Sequence, residues 1–251
     1  MTVSKIVSKK RRLDEIILDR KLCDSIKQAQ AYVYSGLVHS ESRLFSKPGE
    51  LISVKEKIFV KKIKKYVSRG GDKLKFAIDY FNLSGKIQNK TILDVGASSG
   101  GFTDCLLSFG AKKVIALDVG YNQLNWKLKI DPRVCSLEQT DIRNYNSNGL
   151  VNFLVADISF NSISFLIKDL IRVFDEKNQI QMVLLIKPQF ELEKSEIPKG
   201  GIVYQDSLRL KALNKVIESF SNYGQFSYQT VDSILPGRKG NREIFIYLKS
   251  L

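Results

Sequence analysis

The stretch TILDVGASSGGFTDCLL, residues 91–107, decides how the rest of the chain is read. Its first five residues are apolar or β-branched apart from Asp94, which is the signature of a buried strand. From Gly101 to Phe109 the apolar residues take helical spacing. Gly96, Gly100 and Gly101 lie between, within nine residues of Asp94. A glycine loop between a strand and a helix N-terminus lets backbone approach a ligand and offers it unpaired N–H groups. The spacing here is G-x-x-x-G-G. The dinucleotide fingerprint needs G-x-G-x-x-G, and the nucleotide phosphate loop needs G-x-x-x-x-G-K-[ST] with a lysine that does not follow here. Both readings fail on spacing.

Outward from this loop, strand and helix patterns alternate from about Ser68 to the end. Strands are expected at Thr91–Val95, Lys113–Asp118, Val134–Leu137, Phe153–Asp157, Gln181–Lys187, Gln225–Asp232 and Glu243–Leu248, with helices including Gly101–Phe109, Ile163–Phe174 and Ser207–Tyr223. Seven strands alternating with helices make an open, doubly wound, mostly parallel sheet covered on both faces. Its ligand belongs beyond the carboxyl ends of the strands. Acidic residues stand there: Asp118 closes KKVIALD, 24 positions after Asp94, and Asp141 follows the third strand. A carboxylate at the second strand end can accept from both hydroxyls of a ribose.

The segment before Ser68 differs in pattern and charge. Residues 1–75 hold 19 Lys+Arg against 8 Asp+Glu, a net +11, of a total of +14; the other 176 residues carry only +3. A basic first third on a nearly neutral remainder is an electrostatic handle for a polyanion. Leu13, Ile16 and Ile17 form one helical stripe, and a second helix opens at Ser25, with Gln28 completing a capping box, and stops at Gly36. Two β-rich pieces follow, Leu37–Leu44 and Leu51–Val60, around the turn SKPGE. Two short helices on a small sheet are expected over residues 1–60, a basic linker over 61–67, and the α/β domain over 68–251.

Several function classes are excluded by composition. Cys23, Cys105 and Cys135 are scattered and His39 is the one histidine, so neither a disulfide framework, nor a zinc site, nor a Ser-His or Cys-His couple is supported. No metal is expected. No apolar run approaches the roughly 18 residues of a membrane span, and the basic N-terminus lacks the apolar core of a signal peptide. The expected compartment is the cytoplasm.

Four further residues sit where chemistry would be done: Lys73 in SRGGDKL, Asp157 in FLVADISF, Lys187 in VLLIKPQFE and Glu243 in GNREIFIYL. A lysine finishing a hydrophobic strand is unusual, because an unpaired buried ammonium is costly.

These motifs carry two resemblances. Arg12-Leu13-Asp14, Ser25 with Ala29, and Gly36-Leu37-Val38 resemble the S4-type RNA-binding domain. Asp94-x-Gly96-x-Ser98-x-Gly100 resembles the first motif of class I S-adenosylmethionine methyltransferases, with Ser98 where many members have glycine. In order, YVSRGGDKL, DVGASSGGFTDCLL, ALDVGYNQLNWKL, DPRV, ADISF, LIKPQFE, KGGIV and GNREIF resemble the TlyA family over nearly the whole chain. That family comprises S4-bearing, FtsJ-like rRNA 2′-O-methyltransferases, some of them labelled hemolysins.

The resemblance implies S-adenosylmethionine as cofactor, held by Asp94, Gly96, Ala97, Ser98, Gly100, Gly101, Phe102, Asp118, Val119, Asp141 and Asp157. It implies ribosomal RNA, or a ribosomal subunit, as partner, contacted by Arg11, Arg12, Lys21, Lys27, Lys62, Lys65 and Arg69, and no membrane. It implies a catalytic tetrad of Lys73, Asp157, Lys187 and Glu243 acting on a cytidine 2′-hydroxyl. The sequence ends at Leu251, three residues after its last expected strand, which resembles the shorter form of the family, associated with large-subunit RNA. In this scheme Lys187 lies nearest the hydroxyl. A lysine acting as base must be neutral against an unperturbed pKa of about 10.4; a second ammonium lowers that value and carboxylates raise it, so base and positioning roles stay open. The rivals are a non-catalytic RNA-binding assembly factor, a pore-forming protein and a small-molecule methyltransferase.

Overall fold

A computed structural model describes residues 9–61, 65–175 and 178–251. The chain forms two compact units, Met1–Lys64 and Lys65–Leu251.

In the first unit, β1 (Lys10–Arg12) leads directly into α1 (Leu13–Asp19), followed by α2 (Ile26–Tyr34), β2 (Val38–His39), β3 (Leu51–Ser53) and β4 (Phe59–Val60). The expected stripe is the core: Leu13, Ile16 and Ile17 are buried with Ala29, Val33, Val38, Phe45, Ile52 and Ile58. Ser25 Oγ caps α2 by accepting from Gln28 N–H, but the Gln28 side chain accepts from Asp24 N–H, one residue before the capping-box position. The β content also departs from expectation. Among the described residues there is no single sheet: β1 pairs with β3 and β2 with β4, both antiparallel. The stretch Leu51–Val60 breaks because Glu56 N–H turns back to the Ser53 carbonyl, with Val54 and Lys55 at the centre of the turn.

The second unit contains α3 (Arg69–Tyr80), α4 (Ser84–Ile87), β5 (Thr91–Val95), α5 (Gly101–Ser108), β6 (Lys113–Leu117), α6 (Trp126–Lys129), β7 (Val134–Leu137), β8 (Phe153–Ala156), α7 (Ile167–Arg172), β9 (Gln181–Ile186), α8 (Pro188–Glu191), α9 (Asp206–Ser221), β10 (Phe226–Asp232) and β11 (Ile244–Ser250). Its sheet runs β10-β11-β9-β8-β5-β6-β7. The five strands β9, β8, β5, β6 and β7 are parallel, and β11 and β10 add an antiparallel edge. The order reverses at β5, so the carboxyl ends of β5 and β8 flank the crevice where a ligand fits.

Strand alternation separates two cores. Ile92, Val114, Ala116, Phe153 and Val155 face the layer holding α3 and α5, whereas Leu93, Ile115, Leu117 and Leu154 face the layer holding α7 and α9. Central β9 is buried along five of its six residues, as a strand covered on both faces must be. Tyr66, assigned to the linker by sequence, belongs to the second unit's core at 3% exposure. Val67 N–H donates to Asp104 Oδ2 at 2.8 Å. The stretch expected as one helix over Ile163–Phe174 is a 3-10 turn, Ile163–Phe165, followed by α7. Among the described residues no helix is long and apolar enough to cross a membrane.

Candidate active site

The four tetrad residues converge as two ion pairs at the carboxyl end of the sheet. Lys73, on the first turns of α3, places Nζ 2.5 Å from Glu243 Oε2, across 170 residues of sequence. Lys187 Nζ lies 2.6 Å from Asp157 Oδ1 and donates to Ser159 Oγ at 2.7 Å. The contact with Asp157 is close in distance, although its angle falls outside hydrogen-bond geometry. Asp157, Lys187 and Glu243 each stand one residue outside β8, β9 and β11, so their side chains leave the ladder and point at one another.

Burial differs between the pairs. Lys73 and Glu243 are both enclosed, whereas Asp157 keeps 27% of its side chain open. Burial pushes the Glu243 carboxyl above the ordinary carboxylate range, and the Lys73 hydrogen bond and the Lys187 charge oppose that rise.

The glycine loop explains how the strand ends come so close. Gly96 has φ +81°, and a Cβ there would stand 2.7 Å from the Asp157 carbonyl oxygen. A Cβ on Gly101 would overlap Ser68 Oγ, so this glycine lets the N-termini of α3 and α5 meet and brings Lys73 to the sheet. Ser98 takes a left-handed φ of +48° without being glycine, held by donation of its N–H to Asp118 Oδ2 at 2.7 Å. Asp118 Oδ1 accepts from Gly120 N–H, also at 2.7 Å, so this carboxylate ties the ends of β5 and β6 together.

Asp94 lies beneath the loop with no exposed surface. Oδ2 accepts from Thr103 Oγ1 at 2.6 Å, and Oδ1 has no hydrogen-bond partner among the described residues. Burial pushes this carboxyl up to about 7, a rise that Thr103 opposes and the charges of Asp157 and Asp118 reinforce.

Two lysine–carboxylate couples, one enclosed and one partly open, thus stand beside the glycine loop at the reversal point of this strand order. The FtsJ-like methyltransferase family model matches residues 66–250. The chain belongs to the FtsJ-like methyltransferase family. It is 40% identical over 237 residues to Hemolysin A of Brachyspira hyodysenteriae, covering 92% of this chain and 97% of that one. It is 35% identical over 249 residues to the 16S/23S rRNA (cytidine-2'-O)-methyltransferase TlyA of Mycobacterium tuberculosis, covering 97% and 91%. It is 34% identical over 183 residues to the 23S rRNA (cytidine-2'-O)-methyltransferase TlyA of Campylobacter jejuni, covering 72% and 70%.

Other residues of this FtsJ-like site are placed as follows. Ala97 and Phe102 are buried, and Val119 is 68% exposed beside Asp118. Asp141 is taken up locally: the Arg143 guanidinium donates to both its oxygens, at 3.0 and 2.6 Å, and holds its carboxyl below the ordinary range. Of the residues expected to face RNA, Arg11 pairs with Glu15 and Asp19, and Arg12 pairs with buried Asp14. Arg12 thus braces its own unit: Asp14 also accepts from Gln30 at 3.1 Å. Lys21, Lys27, Lys65 and Arg69 are exposed. Lys62 lies outside the described residues.

Five residues that the sequence did not single out complete the site. Ser159 touches Lys187, and Thr103 touches Asp94. Phe160 is 88% exposed next to Ser159. Glu191 is buried behind the 157–164 loop. Asn241 joins two motifs that were noted separately: Oδ1 accepts from Val203 N–H at 2.8 Å and Nδ2 donates to the Gly201 carbonyl at 2.9 Å, locking KGGIV to GNREIF. The available signal was a polar residue inside each motif, with nothing to say which partner it meets. Among the described residues no group of three or more His, Cys, Asp or Glu could hold a metal ion.

Proposed function

We propose that this protein transfers a methyl group from S-adenosylmethionine to the 2′-hydroxyl of a cytidine in ribosomal RNA, with 23S rRNA as the target. The observation that carries the reading is the half-open Lys187–Asp157 pair backed by the closed Lys73–Glu243 pair. The names of the two TlyA relatives, which share 23S rRNA as substrate, support the choice of acceptor.

The residues fit the cofactor. Asp94 Oδ1 is a buried acceptor without a partner, below a loop whose following helix begins at Gly101, which suits a ligand bearing both an ammonium and a carboxylate. Asp118 retains lone pairs for ribose hydroxyls, and the exposed Val119 side chain offers an apolar face to a base. Asp141 joins this set only by releasing Arg143. When bound, the cofactor supplies a methyl group on positively charged sulfur.

The chain's own task is orientation and handling of one proton. Among the described residues Lys187 Nζ donates to Ser159 and lies beside Asp157, which leaves an N–H for the acceptor oxygen. A fixed cation there favours negative charge developing on the oxygen as its proton departs, and Asp157 is the adjacent group able to take that proton. Lys73 and Glu243 hold the ends of α3 and β11 around this pair. The first unit is proposed as an S4-type RNA-binding domain using Lys21 and Lys27, and in the second unit Lys65 and Arg69 are proposed as further RNA contacts. Action on ribosomal RNA places the protein in the cytoplasm. Mass spectrometry of rRNA nucleosides from cells with and without the gene tests the proposal: loss of one 2′-O-methylcytidine is expected, and an unchanged set of 2′-O-methyl nucleosides would refute it.

A further inference from the structure

We propose that Glu191 is a positioning residue for the acceptor side of the site, acting by clamping the 157–164 loop. The proposal rests on the methyltransferase reading above. Glu191 is 1% exposed, and its carboxylate accepts only from three neutral donor residues among the described residues: Ser162 Oγ at 2.5 Å, Ile163 N–H at 2.7 Å, and Ser164 through Oγ at 3.0 Å and N–H at 3.5 Å. All three donors lie at the far end of the loop that begins with Asp157. Enclosing a carboxylate without a cationic partner is costly, so the arrangement points to what the carboxylate holds in place.

Lys187 and Glu191 are four residues apart on one short segment. Lys187 fastens the start of the loop through Asp157 and Ser159, and Glu191 fastens its end through Ser162, Ile163 and Ser164. Phe160 stands between these anchors with a left-handed φ of +68°, a conformation that a bulky residue keeps only under outside constraint. Its ring packs 5.6 Å from that of Phe190, which lies between the two clamping residues. Lys215 Nζ reaches the Glu191 carbonyl at 2.5 Å and fixes the clamp to α9. Glu191 therefore sets where Ser159 and Phe160 stand, and acts on the reaction through them.

The test compares Glu191→Ala with Glu191→Gln in the full chain, by hydrogen exchange and by steady-state kinetics. In Glu191→Ala, exchange over residues 158–165 should rise roughly tenfold while residues 226–232 are unchanged. KM for RNA should rise roughly tenfold, with cofactor affinity within about twofold of wild type. Glu191→Gln should restore most of both, because its carbonyl still accepts from Ile163 and its amide can donate to the serine hydroxyls. Wild-type exchange at 158–165, an unchanged KM, or cofactor affinity falling in step with KM would each overturn the proposal. If Glu191→Ala does not fold, the Ser162→Ala/Ser164→Ala double variant removes both hydroxyl bonds from the other side while leaving the Ile163 N–H bond, and should move exchange and KM in the same direction by a smaller factor. A wild-type protein that transfers no methyl to RNA would refute the substrate reading instead, and the exchange result would still decide whether Glu191 clamps the loop.

Discussion

The two ion pairs of the tetrad use the same residue types and differ in what surrounds them. Lys73–Glu243 is closed on all sides, joins α3 to the start of β11, and leaves neither charge facing outward. Lys187–Asp157 keeps one carboxylate partly open, and its lysine donates to Ser159. A fully enclosed pair is weak in net stabilisation but costly to break, because the surviving charge is stranded. A half-open pair can meet a reactant. On the proposed reading the difference divides the work of the tetrad: one couple holds the architecture and the other meets the reactant.

The most direct way to break this comparison is Lys187→Ala, which should lower methyl transfer by roughly 10³-fold while leaving thermal stability nearly unchanged. Equal losses of stability in Lys187→Ala and Lys73→Ala would erase the distinction. Lys73→Ala strands Glu243 and should cost about 3 kcal/mol in urea unfolding. The double variant Lys73→Met/Glu243→Leu should recover much of that stability without recovering activity.

A smaller effect sharpens the comparison from the half-open side. Ser159→Ala removes one of the two partners of Lys187 and should reduce kcat roughly fivefold, about 1 kcal/mol, with the fold intact. The smallest concerns pH. The folded Asp94 carboxyl titrates near 7, well above its unfolded value, so its favourable contribution is complete below the ordinary carboxylate range and is lost as pH rises to about 7. Asp94→Asn lacks that loss, so its melting temperature relative to wild type should climb between pH 5 and pH 8. A difference that does not change with pH would remove the assigned titration.

Much of this was legible in the sequence, for physical reasons. Strand periodicity and the glycine loop located the sheet, because β5, β6 and β8 must be apolar on both faces, whereas the reversal at β5 is visible only in the strand order. Asp157, Lys187 and Glu243 stood out as charges at the ends of apolar runs, and Lys73 as a lysine entering the helix before the first strand. The errors at strand ends have one cause: Asp118, Asp157, Lys187 and Glu243 were counted into strands, whereas each leaves the ladder to reach a partner. The expected helix from Ile163 begins instead as a 3-10 turn, because the Ile163 N–H is held by Glu191 from 28 residues away. Glu191, Asn241 and the Arg12–Asp14 pair depend on partners that periodicity cannot name. For the same reason Arg11 and Arg12 looked like free RNA contacts, although each is engaged within its own unit.

The central claim is tested most directly by labelled methyl transfer. Purified protein is incubated with tritium-methyl S-adenosylmethionine and unmodified ribosomal subunits, followed by nuclease digestion and nucleoside chromatography. Label should appear in 2′-O-methylcytidine from 23S rRNA with the wild-type protein and be absent with Lys187→Ala. Label in no nucleoside, although calorimetry shows the cofactor bound, would contradict it.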